Sequence, residues 1–256
     1  MIDAENITKL FRVPGLNPFA GSVETTALDG FSFNAEQGGL TALVGRNGAG
    51  KSTLLRILST LIVPDSGKVN VCGFDAMRKP VEVRRRTGLV TGDERSFYWR
   101  LSGRDNLVLF GTLYDTPRSK LNKRIDRLTE LFGLGESINM PVRTYSSGMK
   151  QRLSLARCLI HDPEILLLDE PARGLDPILH IKQLQLIRDI IVKEFKRTVV
   201  VATHNLDDAI SLGGNVVLID SGRQIYSGKP ERAEELLAIL KNTSPEKEDI
   251  SGFNLL

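Results

Sequence analysis

Nine consecutive residues, Gly45, Arg46, Asn47, Gly48, Ala49, Gly50, Lys51, Ser52 and Thr53, carry the pattern G-x-x-x-x-G-K-S with a threonine behind it. The grouping suits phosphate. Glycines let successive backbone N–H groups turn toward one anion, a lysine reaches its outer oxygens, and the next hydroxyl ligates Mg²⁺. Lys51 and Ser52 take those two tasks. A second grouping, Asp169-Glu170, closes the apolar run Ile165-Leu166-Leu167-Leu168. Neighbouring residues of an extended chain point to opposite sides, so the two carboxylates are free for different work. Beside a bound triphosphate, Asp169 holds the magnesium shell, and Glu170 suits a carboxylate that orients and polarises an attacking water. The chemistry implied is the binding of a nucleoside triphosphate, with the means to hydrolyse it.

Such residues need elements to deliver them. Leu40 to Val44 is an apolar run that ends at the glycines, and Ser52 to Leu61 has helical spacing and stops near Pro64, Asp65 and Gly67. A buried strand before the loop and a helix N-terminus after it are what a phosphate site uses. Ile165 to Leu168, Thr198 to Ala202 and Asn215 to Asp220 read as further strands, alternating with helices such as Ile178 to Phe195. Nearly continuous apolar strands of this kind belong to a parallel sheet covered on both faces. Met1 to Phe11 and Ala27 to Phe33 are expected to be strands joined by a loop through Pro14-Gly15-Leu16-Asn17-Pro18. Lys68 to Cys72 and Gly88 to Thr91 are expected to be two more. Between Leu101 and Ile160 the pattern turns helical, over Arg104 to Tyr114, Lys120 to Phe132 and Gly148 to Ile160. A helical lobe inserted into an α/β core follows.

With 256 residues the chain can bury a large core. Its 34 Lys and Arg against 31 Asp and Glu leave +3, which argues against a dedicated nucleic-acid surface. The run Arg84-Arg85-Arg86 is read as a solvated helix face. No apolar stretch reaches the length of a membrane helix, and the N-terminus lacks the layout of a signal peptide. Cys72 and Cys158 are far apart and without metal-ligand spacing, so neither a disulfide framework nor a zinc site is expected, and a reducing cytoplasm fits.

Thr144-Tyr145-Ser146-Ser147-Gly148-Met149-Lys150-Gln151-Arg152-Leu153, about twenty residues before Asp169, resembles the signature motif of ATP-binding cassette (ABC) ATPases, usually L-S-G-G-Q. Tyr145, Ser147 and Met149 replace three of its positions, a variation similar to that in many exporter-type subunits. Gly174-Leu175-Asp176-Pro177 stands at the place of the family's D-loop, and Val201-Ala202-Thr203-His204 ends a strand as the family's switch histidine does. The resemblance runs from Ile2 to about Gly228. It implies a single ABC ATPase domain over 1–240, with a phosphate-loop NTPase core of mainly parallel sheet (1–91 and 161–240), an N-terminal antiparallel β subdomain and an inserted helical subdomain (about 92–160). The charged segment 241–256 is expected to be loosely ordered. ATP and Mg²⁺ are the implied cofactors. Two copies, or this chain and a homologous subunit, would pair head to tail, with Ser146, Ser147, Gly148 and Met149 of one acting on ATP held by the other. His204 would contact the γ-phosphate, and Phe11 is the positional match for an aromatic stacked on adenine, unless it serves core packing. The implied function is ATP hydrolysis coupled to transport, by export, through a separate membrane permease, with the chain on the cytoplasmic face. A soluble ABC ATPase of assembly or repair, and a non-hydrolysing nucleotide-dependent module, are the alternatives.

One departure stands out. The family's glutamine after the strand Thr87-Gly88-Leu89-Val90 is replaced by Thr91-Gly92-Asp93-Glu94-Arg95, where Asp93 or Glu94 is expected to substitute in part at the metal. Phe97-Tyr98-Trp99 follows, near the family's permease groove. These aromatics are either an interface anchor or buried between the lobes.

Overall fold

The computed structural model describes residues 1–13, 23–91 and 97–243. The Pro14 to Pro18 connection, Gly92, Asp93 and Glu94, and the segment 244–256 lie outside these residues. In chain order the elements begin with strands β1 (Ile2–Val13), β2 (Val23–Ala35) and β3 (Leu40–Val44), helix α1 (Lys51–Leu58), strands β4 (Ser66–Val71) and β5 (Phe74–Asp75), α2 (Pro80–Arg86) and β6 (Thr87–Val90). Three helices follow, α3 (Gly103–Leu113), α4 (Arg118–Leu131) and α5 (Ser147–Leu159). Then come β7 (Ile165–Asp169), α6 (Pro177–Leu186), β8 (Thr198–Thr203), α7 (Leu206–Leu212), β9 (Asn215–Asp220), β10 (Arg223–Gly228) and α8 (Ala233–Thr243).

Six strands form one sheet in the order β10-β9-β3-β8-β7-β6, parallel except at β10, and four form an antiparallel sheet, β2-β1-β4-β5. Period-two alternation explains why the inner strands are apolar throughout. Leu43, Ile165, Leu167, Val200 and Ala202 pack with α1 and the antiparallel sheet. Their neighbours Leu166, Leu168, Val199 and Val201 face the helical lobe, while Ala42 and Val44 face α7 and α8. Every position of such a strand is therefore buried, as the burial of all five residues of β3 and of β7 shows.

Register then sets the site. Val44 lies opposite Thr203, and Asp169 opposite Ala202, so the residues just beyond these strands, Gly45, Glu170 and His204, leave the sheet at one edge. This is the carboxyl edge, where open α/β sheets bind their ligands. Helix α1 is too short to be stable alone and is held by packing. Leu54, Leu55, Ile57 and Leu58 are fully buried, each contributing about 2 kcal/mol.

Sequence and structure differ at particular places. The helix expected over Ile178 to Phe195 is α-helical only to Leu186 and continues as a π-helix over Ile187–Glu194. Arg84, Arg85 and Arg86 are on a helix, but they are not merely solvated. Arg86 pairs with Glu82 and Glu164, Arg85 with Asp115, and Arg84 donates to Thr60 Oγ1. Both cysteines are free thiols, and burial pushes Cys158 up to about 12 and Cys72 up to about 11, so neither is a ready nucleophile.

Candidate functional site

The glycine loop joins β3 to α1 and is braced from behind: Ala49 O accepts from Gly222 N–H, and Gly222 O from Asp29 N–H, both at 3.0 Å. Gly50 precedes the helix with φ of 109° and offers no side chain, so the first turn of α1 keeps its N–H groups open. Helices α3, α5, α6 and α7 instead cap themselves with Ser102, Ser146, Asp176 and Asn205. An uncapped N-terminus beside glycines attracts an anion.

A Cβ on Gly50 would lie 2.3 Å from Ala27 O and 2.9 Å from Leu28 Cδ2, whereas one on Gly48, at φ of 83°, meets nothing within 4 Å. Gly48→Ala is therefore expected to cost about 1 kcal/mol, the left-handed penalty alone. Gly50→Ala adds an overlap with backbone and is expected to cost about 3 kcal/mol or more. Urea unfolding of the two variants checks this order.

A cleft of 190 Å³ lies over the loop, lined by Ala27, Asn47, Gly48, Gly50, Lys51, Ser52, Thr53, Asp169, Glu170 and Arg173. Lys51 is buried and its Nζ donates to Gly45 O at 2.6 Å and Arg46 O at 3.0 Å. Burial lowers its pKa, and the charges of Glu170 and Asp169 pull it back up. Asp169 ends β7 buried, and its Oδ1 has no hydrogen-bond partner. A buried acceptor left alone costs about 1–3 kcal/mol, a cost that a ligand on that oxygen removes. Ser52 lines the same cleft. A hydroxyl, one carboxylate and phosphate oxygens are the donors Mg²⁺ takes, so these residues fit that ion. Among the described residues there is no cluster of three His, Cys, Asp or Glu able to hold a metal, and a site of this type does not require one.

Glu170 sits at φ of 49°, the left-handed region that favours glycine. Its N–H donates to Ala202 O at 2.9 Å, and its carbonyl accepts from Arg173 N–H at 3.1 Å, so the turn is held from both sides. The carboxylate Oε1 lies 2.8 Å from His204 Nδ1. Two groups 34 residues apart in the chain thus meet at Glu170, which lines both this cleft and the adjoining groove that His204 lines.

The other expected site residues lie elsewhere. Ser146 caps α5, accepting from Met149 N–H at 3.3 Å, and Ser147 is exposed. Gly148 is buried where a Cβ would approach Leu179. None of these lines the cleft of its own chain. Tyr145 is buried and donates to Ser137 O at 2.5 Å, a tie within the helical lobe. Asp176 caps α6 through Leu179 N–H at 3.0 Å. Phe11 is 37% exposed, opposite Thr25 and with Lys9 Nζ 5.6 Å from its ring, and does not line the cleft. The aromatic trio divides. Phe97 is buried, with the Arg157 guanidinium 4.7 Å from its ring, while Tyr98 and Trp99 are exposed. Asn106, fully buried, fixes that turn by accepting from Tyr98 N–H and donating to Tyr98 O and Ser102 O. Neither Asn106 nor Arg173 is marked by a motif.

A parallel sheet whose carboxyl edge carries a glycine loop, an open helix N-terminus and two carboxylates defines a nucleotide-binding protein of the phosphate-loop class. The chain belongs to the ABC transporter family, whose profile matches residues 28–173. Among its relatives, the ABC transporter ATP-binding protein NatA of Bacillus subtilis (strain 168) is 37% identical over 213 residues, 80% of this chain and 85% of that protein. The doxorubicin resistance ATP-binding protein DrrA of Mycobacterium tuberculosis (strain ATCC 25618 / H37Rv) is 38% identical over 84% of this chain, which spans 64% of that relative's length. Among solved structures, a dimeric ATP-binding cassette in a post-hydrolysis state with ADP and Pi matches with a TM-score of 0.77 and 26% identity, over 91% of this chain and 99% of that one. Another, cbiO1 from Clostridium perfringens, part of the transporter complex cbiONQ, matches with 0.77 and 25%, over 98% and 96%.

Proposed function

We propose that this chain is the Mg²⁺-dependent, ATP-hydrolysing subunit of an exporter, working as a head-to-tail pair on a separate membrane permease. The observation that carries it is the 2.8 Å contact of Glu170 with His204 beside a cleft that also holds Lys51 and the orphaned Asp169 oxygen. The loop and the N-terminus of α1 hold the phosphates, and Lys51 turns from Gly45 O and Arg46 O to the outer oxygens. Ser52 and Asp169 would hold the magnesium ion, which when bound would supply charge neutralisation at the phosphates. Glu170 orients a water for attack and accepts its proton, while His204 keeps that carboxylate aimed and approaches the γ-phosphate.

Ser146, Ser147, Gly148 and Met149 are assigned to a partner's nucleotide. That none of them lines the cleft of its own chain supports this, as does the dimeric state of the ADP-bound cassette. Export is favoured by the resistance role in the name of the mycobacterial relative. Among the described residues no helix is long and apolar enough to cross a membrane. A permease at the cytoplasmic face would supply the path, and the exposed Tyr98 and Trp99 are assigned to its docking, with Phe97 as their buried footing.

Purified chain is expected to turn over ATP only with Mg²⁺, and affinity-tagged chain to bring down a multi-span protein from detergent-solubilised membranes. A Tyr98→Ala, Trp99→Ala double variant should lose at least about 2 kcal/mol of that association, or some 30-fold, with its ATP turnover unchanged. Undiminished capture would remove the aromatics from the interface.

A further inference from the structure

Asp208 lies in the first turn of α7 and is 8% exposed. A carboxylate so far from water needs partners. One oxygen accepts from Thr203 Oγ1 at 3.2 Å, and the other lies 2.7 Å from His180 Nε2. The Thr203 hydroxyl also accepts from Asn205 N–H at 3.1 Å. Residues on both sides of His204 are therefore tied to one hydroxyl, and that hydroxyl to Asp208. Beyond it, His204 meets Glu170. An unbroken series of contacts runs from α6, through the end of β8, to the carboxylate assigned to water.

A second strap joins the same elements. Arg188, on the π-helical continuation of α6, donates to Ser211 O of α7 at 3.1 Å. At its other end α6 is capped by Asp176, and its first turn exposes Ile178 (67%) and presents Leu179 to Gly148. His180 is the next residue. It joins this turn, through Asp208 and Thr203, to the loop that carries His204.

We propose that His180 is a positioning residue: through Asp208 and Thr203 it couples the place of the D-loop helix to the aim of His204, so that the neighbour meeting α6 sets the hydrolytic geometry. The inference rests on the ATPase reading above. The groove here, 840 Å³, is also lined by Arg173, Glu170 and Asp207, and Asp208 is the carboxylate that His180 contacts among them.

Steady-state ATP turnover tests it. His180→Ala is expected to lower kcat about 10-fold and leave KM for ATP within about twofold, because the reacting groups are misaimed while the phosphate loop is untouched. His180→Gln, whose amide N–H replaces the ring Nε2–H toward Asp208, should recover more than half of the lost rate. Melting is followed in parallel. A wild-type kcat in His180→Ala overturns the proposal, as does a loss that tracks the melting temperature and is not restored by glutamine. Wild-type protein without Mg²⁺-dependent turnover would instead overturn the ATPase reading, so the two failures are distinct.

Discussion

Replacing Glu170 with glutamine is expected to lower ATP turnover about 10³-fold while ATP still binds, so that an ATP-bound pair of copies accumulates. The substitution keeps shape. Glutamine has the volume of glutamate, and the backbone at φ of 49° is fixed by the Ala202 and Arg173 hydrogen bonds, which do not involve the side chain. The amide still reaches His204, so the loop has no cause to move. What is lost is the ability to take a proton from water. Electrostatics pushes binding the other way. Glu170 and Asp169 line the cleft proposed for the triphosphate, a polyanion, and two like charges 4 Å apart repel by about 4 kcal/mol at an effective dielectric constant of 20. Removing one of them relieves part of that repulsion and favours the nucleotide-bound state. Light scattering with Mg²⁺-ATP should report dimer for Glu170→Gln and a lower dimer fraction for the wild type. Turnover within tenfold of the wild type would assign the proton to another group.

The phosphate loop, the Asp169-Glu170 pair and the inner strands were legible because each is a local pattern. A buried parallel strand must be apolar at every position, and a loop that approaches phosphate must be rich in glycine. The edge elements had no such constraint. Strand β10 has no fully buried position, and β5 is two residues long, so neither carries a run long enough to recognise. Helix α7, seven residues, was hidden behind the strand that precedes it, although Asn205, accepting from Asp207 and Asp208 N–H, is an ordinary cap signal. The π-helical stretch keeps a helical apolar pattern while its hydrogen bonds shift by one residue, which composition does not record. The division of Phe97 from Tyr98 and Trp99 is decided by Asn106, several residues on. His180 shows the limit most clearly. Its partner is 28 residues away on another helix, and only the folded chain brings them together.

Lys51→Met is expected to weaken ATP binding about 100-fold without weakening the fold. Methionine is an unbranched side chain of similar reach, so it fills the buried channel of the lysine stem and leaves little cavity. The change therefore isolates the ammonium. Without nucleotide, that charge is in a divided position. Burial works against it and is the largest influence on its pKa, the carboxylates of Glu170 and Asp169 work for it, and two carbonyls take its hydrogen bonds. Hydrogen bonds to a charged group contribute about 1.5–3 kcal/mol each, and desolvating an ion costs several kcal/mol, so the terms largely cancel. The melting temperature of the free variant should then stay within about 2 °C of the wild type. Nucleotide breaks this balance. A triphosphate offers the ammonium anionic oxygens, and two charge-assisted hydrogen bonds contribute about 3 kcal/mol, or some 100-fold in affinity. At 100 times its dissociation constant a ligand stabilises its protein by about 2.7 kcal/mol, a rise of about 5 °C or more for a chain of this size. The wild type should show that rise with ATP, and Lys51→Met at the same concentration only about 1 °C. If the free variant instead melts far below the wild type, Lys51 is a brace for the loop carbonyls, and its part in holding phosphate must be measured by direct binding.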